Sequence, residues 1–166
     1  TVLIGTAFTM RQAPKHGAAK KFDGMVRQVE VTGELAQPGD VVVMDVGGRT
    51  DICSWGENQG YRCLSRGVKG LVINGAVRDA NDIRKSGFPV FCRGFSPIKS
   101  KWDLETLGLN EPIAFGSVQV RPGDIIFADE TGILVLPPEH LDAILDLARK
   151  IRDEEEEFMK SLGIGG

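Results

Sequence analysis

Four side chains in one stretch could do chemistry together: Glu57, then Arg78 and Asp79 after twenty intervening residues, then Asp82 three positions beyond Asp79. Three carboxylates a few ångströms apart raise one another's pKa unless a cation neutralises them. With only oxygen ligands in view and neither His16 nor His140 near in sequence, the favoured ion is hard, Mg²⁺ or Mn²⁺, and keeps several waters. Free N–H groups at helix starts favour an anion, with the amides of Asn58 and Gln59 as donors to a carboxylate. The same residues have a purely structural reading. Asp79 and Asp82 then stabilise a helix start, and Arg78 pairs with Glu57.

Either reading needs two helix starts brought together across one strand. Trp55 to Arg66 has helical spacing closed by Gly67, and Gly70-Leu71-Val72-Ile73 reads as a short buried strand. Asn74 to Val77 turns the corner. Arg78 to Ser86 is a second helix with Ile83 inward, Gly87 stops it, and Pro89 to Cys92 is the next strand. Strand, helix, strand at this spacing predicts a parallel, right-handed crossover. Ligands sit in the loops at the carboxyl ends of such strands.

Around this unit, Val2 to Thr9 reads as a strand and Met10 to Phe22 as a loop, whose cations Arg11, Lys15, Lys20 and Lys21 suit solvent better than a phosphate. Val26 to Thr32 alternates like a half-buried strand, ended by Gly33. Gln37-Pro38-Gly39-Asp40, which launches an apolar run ending in Asp45, recurs 84 residues later as Arg121-Pro122-Gly123-Asp124, with a run ending in Asp129. Pro-Gly supplies the backbone of a type II turn, so each run is a buried strand. A further hairpin strand is expected at Ile133 to Leu136. The last element is a helix from Pro138 to about Leu162 with an apolar stripe of Leu141, Ile144, Leu145, Ala148 and Ile151. Its acidic block, Asp153 to Glu157, is a solvated face or a surface that docks on a neighbouring subunit.

Composition narrows the function classes. The 166 residues suit one domain, 1–166, and 42% apolar with 26% charged residues excludes a disordered chain. Lys plus Arg number 20 against 23 acids, a net charge of -3, so no electrostatic footprint for nucleic acid exists. No apolar run is long enough to span a membrane. Cys53, Cys63 and Cys92 match neither a zinc pattern nor a disulfide framework, which predicts reduced thiols, core packing and a cytoplasmic location. The opening Thr1-Val2-Leu3-Ile4 carries no export signal. Asp45 with Gly47-Gly48 reads as a turn that could also meet substrate, and Lys99 and Lys101 as exposed cations.

The stretch Gly67 to Asp79, followed by Gly87 to Gly94, resembles the RraA-like family, whose motif is an acid, twenty residues, Arg-Asp, and another acid three positions on. The likeness runs from about Val2 through Pro137 and includes the strand Leu3 to Thr9 and the segment Gly123 to Gly132. It implies an α/β chain with the swivelling β/β/α fold, mixed sheets, crossover helices and a long C-terminal helix, assembled as trimers or hexamers. The family includes divalent-metal-dependent 4-hydroxy-4-methyl-2-oxoglutarate aldolases. By resemblance, Asp79 would ligate the metal while Glu57 and Asp82 hold its waters. Arg78 would grip a pyruvyl carboxylate, with Gly56 and the Asn58 and Gln59 backbone N–H groups completing the substrate contact. Arg78, Asp79 and Glu57 would then carry the chemistry: cleavage of a 4-hydroxy-2-oxo acid to pyruvate through an enolate, with oxaloacetate decarboxylation alongside. One more carboxylate would come from a neighbouring subunit's C-terminal helix, with Glu154 the candidate.

The sequence departs from the family pattern at Glu57, where aldolase members often have Asp, and at Asn58-Gln59, where they often have two leucines. Members also usually carry a helical segment ahead of the first strand, which this sequence does not include. The family's namesake is a different kind of protein, a non-catalytic one that binds and restrains a ribonuclease. That branch lacks the Asp of Arg-Asp, which this chain keeps as Asp79.

Overall fold

The two Pro-Gly-Asp segments fold alike. In the computed structural model, which describes residues 1–16 and 26–164, Gly39 and Gly123 take φ of 96° and 86°. Asp40 N–H donates to the Gln37 carbonyl at 3.0 Å and Asp124 N–H to the Arg121 carbonyl at 3.1 Å, closing matching type II turns. Each turn starts a strand, β2 (Asp40–Asp45) and β9 (Ile125–Ala128), and the two flank β1 (Leu3–Pro14) on opposite sides. β1 runs parallel to β2 and antiparallel to β9.

The remaining strands of this eight-stranded sheet are β3 (Cys53–Trp55), β4 (Gly70–Val77), β5 (Val90–Phe95), β6 (Leu104–Leu109) and β10 (Ile133–Leu136), in the path β10-β9-β1-β2-β4-β3 with β5 on β4 and β6 on β1. β2, β3 and β5 all run parallel to β4, as the crossover spacing requires. The helices are α1 (Gln28–Glu30), continued by a π-helical turn (Val31–Leu35), then α2 (Glu57–Ser65) and α3 (Ala80–Ser86). β7 (Ile113–Phe115) and β8 (Val118–Val120) form a separate two-stranded hairpin.

Side chains alternate across the sheet, so both faces are buried. Val42, Met44, Leu71 and Ile73 join the helical side with Val31, Cys63 and Ile83. Val41, Val43 and Val72 pack instead with Ile113 and Val120 of the β7–β8 hairpin. The β/β/α layering and mixed sheet therefore match the expected fold class. Trp55 stacks on Phe88 at 6.3 Å between centroids, pinning the strand that leads into α2.

Several local expectations change. Within Val26 to Thr32 the chain is helical from Gln28 on rather than a strand: Gln28, Val31 and Thr32 are the buried positions, a helical spacing, and Arg66 holds the following backbone through the Gly33, Glu34 and Ala36 carbonyls. Met10 to Pro14 continues β1 instead of looping, because buried Met10 and Gln12 alternate with exposed Arg11 and pair with β6. Lys15 reaches the Lys101 carbonyl, and Lys20 and Lys21 lie outside the described residues. Asn74 to Val77 is strand, not corner, since β5 and β3 hydrogen-bond it to its end. β6, β7 and β8 are too short and weakly patterned to be expected from sequence.

Where the sequence suggests one domain over 1–166, the chain divides into two compact units, Thr1–Val135 and Leu136–Gly166. The second holds a 3-10 turn (Pro138–His140) and α4 (Leu141–Ser161), of which no residue is buried. Among the described residues no helix is long and apolar enough to cross a membrane.

Candidate functional site

α2 and α3 begin beside each other because β3 and β4 end beside each other: Trp55 is paired with Val77, and Arg78 N–H donates to the Trp55 carbonyl at 2.9 Å. The next residues on each chain are Gly56 and the Arg78-Asp79 pair. A side chain at Gly56 would put its Cβ 2.7 Å from Asp79 Oδ2 and 2.7 Å from Arg78 Cζ. Glycine at 56 thus makes the room in which these two groups meet.

Asp79 has φ 58° and ψ 37°, the left-handed region that costs a non-glycine residue about 1 kcal/mol. It stands at the cap position of α3 and makes no side-chain cap bond. Its carboxylate turns across the chain instead. Oδ2 lies 3.1 Å from Arg78 Nε and accepts from Glu57 N–H at 3.3 Å. Negative charge at the start of α2 is favourable. The Arg78 and Asp79 side chains are 21% and 32% exposed, so both stay reachable. Arg78 Nη1 also lies 3.9 Å from Cys53 Sγ.

The structure thus brings Glu57, Arg78, Asp79 and Gly56 together, and Arg78 pairs with Asp79 rather than with Glu57. Asp82 points elsewhere, to Lys85 at 3.3 Å on the exposed side of α3. The expected trio of acids is therefore not assembled: among the described residues no three His, Cys, Asp or Glu side chains form a group that could hold a metal. A hard cation that keeps most of its waters needs only one or two carboxylates. Asp79, whose contacts with Arg78 and with the Glu57 backbone N–H both use Oδ2, fits that smaller donor set. One expected substrate donor is also occupied. Gln59 N–H donates to the Gly56 carbonyl at 3.2 Å, while Asn58 sits exposed in the first turn.

A cavity of about 480 Å³ opens beside Arg78, with Cys53, Ser54, Gln59, Lys99 and Lys101 in its wall. Cys53 and Ser54 were not expected there, and the lone polar residue between Cys53 and Trp55 was the available signal. Lys99 and Lys101, expected as exposed cations, line the cavity as well. Asp45 belongs to a different cluster. It accepts from Gly47 N–H at 3.3 Å and from Asn74 Nδ2 at 2.6 Å, and Arg93 caps Asn74, so the Gly47-Gly48 segment is a turn. Cys63 is core: burial pushes its thiol up to about 12. His16 donates its N–H to Glu105, and Glu154 of α4 lies 3.8 Å from Lys150.

A family model described as RraA-like, Aldolase/RraA, matches residues 1–135. DlpA of Legionella pneumophila is 30% identical over 163 residues, covering 98% of this chain and 26% of DlpA. A Halalkalibacterium halodurans protein provisionally named 4-hydroxy-4-methyl-2-oxoglutarate aldolase is 35% identical over 121 residues, covering 73% of this chain and 57% of its own length. The chain thus spans about a quarter of the first relative and little over half of the second. Among solved structures, RraAS2 of Streptomyces coelicolor, described as an unusual member of the RNase ES inhibitor RraA family, superposes with a TM-score of 0.83 at 29% identity over 96% of this chain and 77% of its own.

Proposed function

The chain belongs to the RraA-like family, and on that footing we propose that it is a divalent-metal-dependent lyase that cleaves 4-hydroxy-2-oxo acids to pyruvate and also decarboxylates oxaloacetate. One observation carries the reading: a guanidinium and a carboxylate are held side by side in a gap that only glycine at 56 leaves open.

Asp79, with Glu57 beside it, would hold Mg²⁺ or Mn²⁺. Bound there, the cation supplies a Lewis acid for the 2-oxo carbonyl and waters of lowered pKa. Arg78 binds the 2-oxo acid's carboxylate and stands where enolate charge develops. In cleavage, the C3–C4 bond breaks and its electron pair stays on C3 as the pyruvate enolate. The C4 hydroxyl loses its proton to Glu57 through a water, and C4 becomes the carbonyl of the second product. The enolate then takes a proton at C3 to give pyruvate. Oxaloacetate reaches the same enolate by losing CO₂ and needs no base. Asp82, paired with Lys85, has at most a remote part. A trimer or hexamer is the working form in this reading.

The test is pyruvate release from oxaloacetate and from 4-hydroxy-4-methyl-2-oxoglutarate, measured with Mg²⁺, with chelator, and with Asp79→Ala. Activity that needs both metal and Asp79 is expected. Equal rates in all three conditions overturn the lyase reading. They would favour a second one, supported by the likeness to RraAS2, in which the chain binds and restrains a ribonuclease.

A further inference from the structure

Asp79 meets an incoming metal ion with a cation already beside it. Arg78 Nε stands 3.1 Å from its Oδ2, the Glu57 N–H donates to the same oxygen at 3.3 Å, and the carboxylate makes no cap bond on its own helix. The pair is confined. A Cβ at Gly56 would lie 2.7 Å from Asp79 Oδ2 and 2.8 Å from Arg78 Nη2, and the Arg78 and Asp79 side chains are 21% and 32% exposed, so water screens the two charges less than on an open surface. The donor set is also small. Among the described residues Asp79 is the one carboxylate in ion-pair contact with Arg78, and no three His, Cys, Asp or Glu side chains form a group that could hold a metal. A divalent cation reaching the unliganded site therefore finds a carboxylate whose charge Arg78 already balances.

Charge alone then links two ligands. A divalent cation on Asp79 is repelled by the guanidinium beside it, and an anion on Arg78 cancels that repulsion. The anion thus raises the affinity of Asp79 for the cation, and the cation raises the affinity of Arg78 for the anion by the same factor. We propose that Arg78 gates the metal site: Asp79 holds a divalent cation weakly while the guanidinium is unoccupied, and tightly once the carboxylate of a 2-oxo acid neutralises it. The complete site assembles when both ligands are present. Without the acid, the cation exchanges freely. The proposal rests on the roles that the lyase reading gives Asp79 and Arg78, and it adds the dependence of one ligand on the other.

Mn²⁺ binding to the full chain, followed by EPR of the free ion, reads the gate without turnover. Saturating pyruvate should raise the Mn²⁺ affinity of the wild type about tenfold or more. A ligand that touched the cation directly would do the same, so the deciding arm contains no pyruvate. Arg78→Gln, or Arg78→Met should that variant not fold, removes the guanidinium charge and should raise the affinity for Mn²⁺ alone about tenfold. Arg78→Lys keeps a positive charge and should bind Mn²⁺ alone as weakly as the wild type. Adding Asp79→Asn to the neutral variant should abolish its gain. Three results each overturn the proposal: a neutral variant that binds Mn²⁺ no tighter than the wild type, an equal gain in Arg78→Lys, or a gain that survives Asp79→Asn. Oxaloacetate decarboxylation, assayed separately, distinguishes the two claims. A gain in the neutral variant without any decarboxylation by the wild type keeps the gate and ends the lyase reading. Metal-dependent decarboxylation without that gain does the reverse, and Mn²⁺ binding to no form of the chain ends both.

Discussion

The Pro-Gly-Asp turns on either side of β1 and the Arg78-Asp79 mouth are both built on an aspartate at a sharp bend, and they use it in opposite ways. In the turns, Gly39 and Gly123 take the positive φ and leave the aspartate unstrained. Its carboxylate is then used locally. Asp40 accepts from Gln37 N–H at 2.8 Å and from Thr6 Oγ1 at 2.7 Å, and Asp124 accepts from Arg121 N–H at 2.7 Å. At the mouth, Asp79 itself takes the positive φ, makes no cap bond on its own helix, and reaches across to Arg78 and the Glu57 N–H while partly open to water. A saturated carboxylate belongs to the fold. A strained, half-satisfied one is available for a ligand.

The largest expected effect separates the two most sharply. Asp79→Asn should lower kcat/KM for oxaloacetate about a thousandfold with little change in thermal midpoint. A drop in stability in step with activity would place Asp79 with the turns. Next, Gly56→Ala should cost about a hundredfold in kcat/KM, because its Cβ displaces the ends of Arg78 and Asp79. Those ends are flexible, so the melting temperature should hardly move. The matching change in the other region, Gly5→Ala, puts a Cβ 2.4 Å from the Gly39 carbonyl oxygen. Backbone cannot yield as side chains do, and about 3 kcal/mol of stability should be lost. Denaturant titration of both variants reads the contrast.

Asp124→Ala is a smaller test. It strands the Arg121 N–H and should cost about 2 kcal/mol of stability in urea, while kcat/KM per folded molecule stays at the wild-type value. The smallest effect marks where site gives way to support. Burial raises the Cys63 thiol to about 12 from 9.0, so above the lower value the unfolded chain ionises and the folded one does not. Stability is therefore full below pH 9 and falls as pH rises towards 12, by about 1 kcal/mol at pH 10. Cys63→Ala should flatten that limb of the pH profile. The folded thiol should also resist a thiol reagent at pH 8.

Much of the architecture was legible because it rests on local chemistry. Pro-Gly dictates a turn wherever it falls, and the two echoed segments fold as expected down to their i to i+3 bonds. The adjacency of Glu57 to Arg78-Asp79 followed from the crossover spacing. Sequence and structure part where two periods fit one segment: Val26 to Thr32 alternates, but core packing of Val31 and the grip of Arg66 select a helix from Gln28 on. Asp82 also lies away from the place its spacing suggests. Helical spacing would keep residues three apart on one face, but Asp79 stands outside the helix with a left-handed φ and turns its carboxylate to Arg78, while Asp82 in the first turn of α3 pairs with Lys85.

Residue types and spacing alone determined the turns, the parallel crossover and the pairing of an acid with Arg-Asp, since each follows from backbone conformations and helix-strand lengths that adjacent residues impose. Tertiary structure alone decided that Asp79 meets Arg78 and not Asp82, that Gly56 is the gap the two share, that Cys53, Ser54 and Gln59 line the cavity beside Arg78, and which buried side-chain polar atoms among the described residues lack a partner. Those facts depend on where strands distant in sequence come to rest. No local pattern encodes whether a polar atom, once buried, finds a partner.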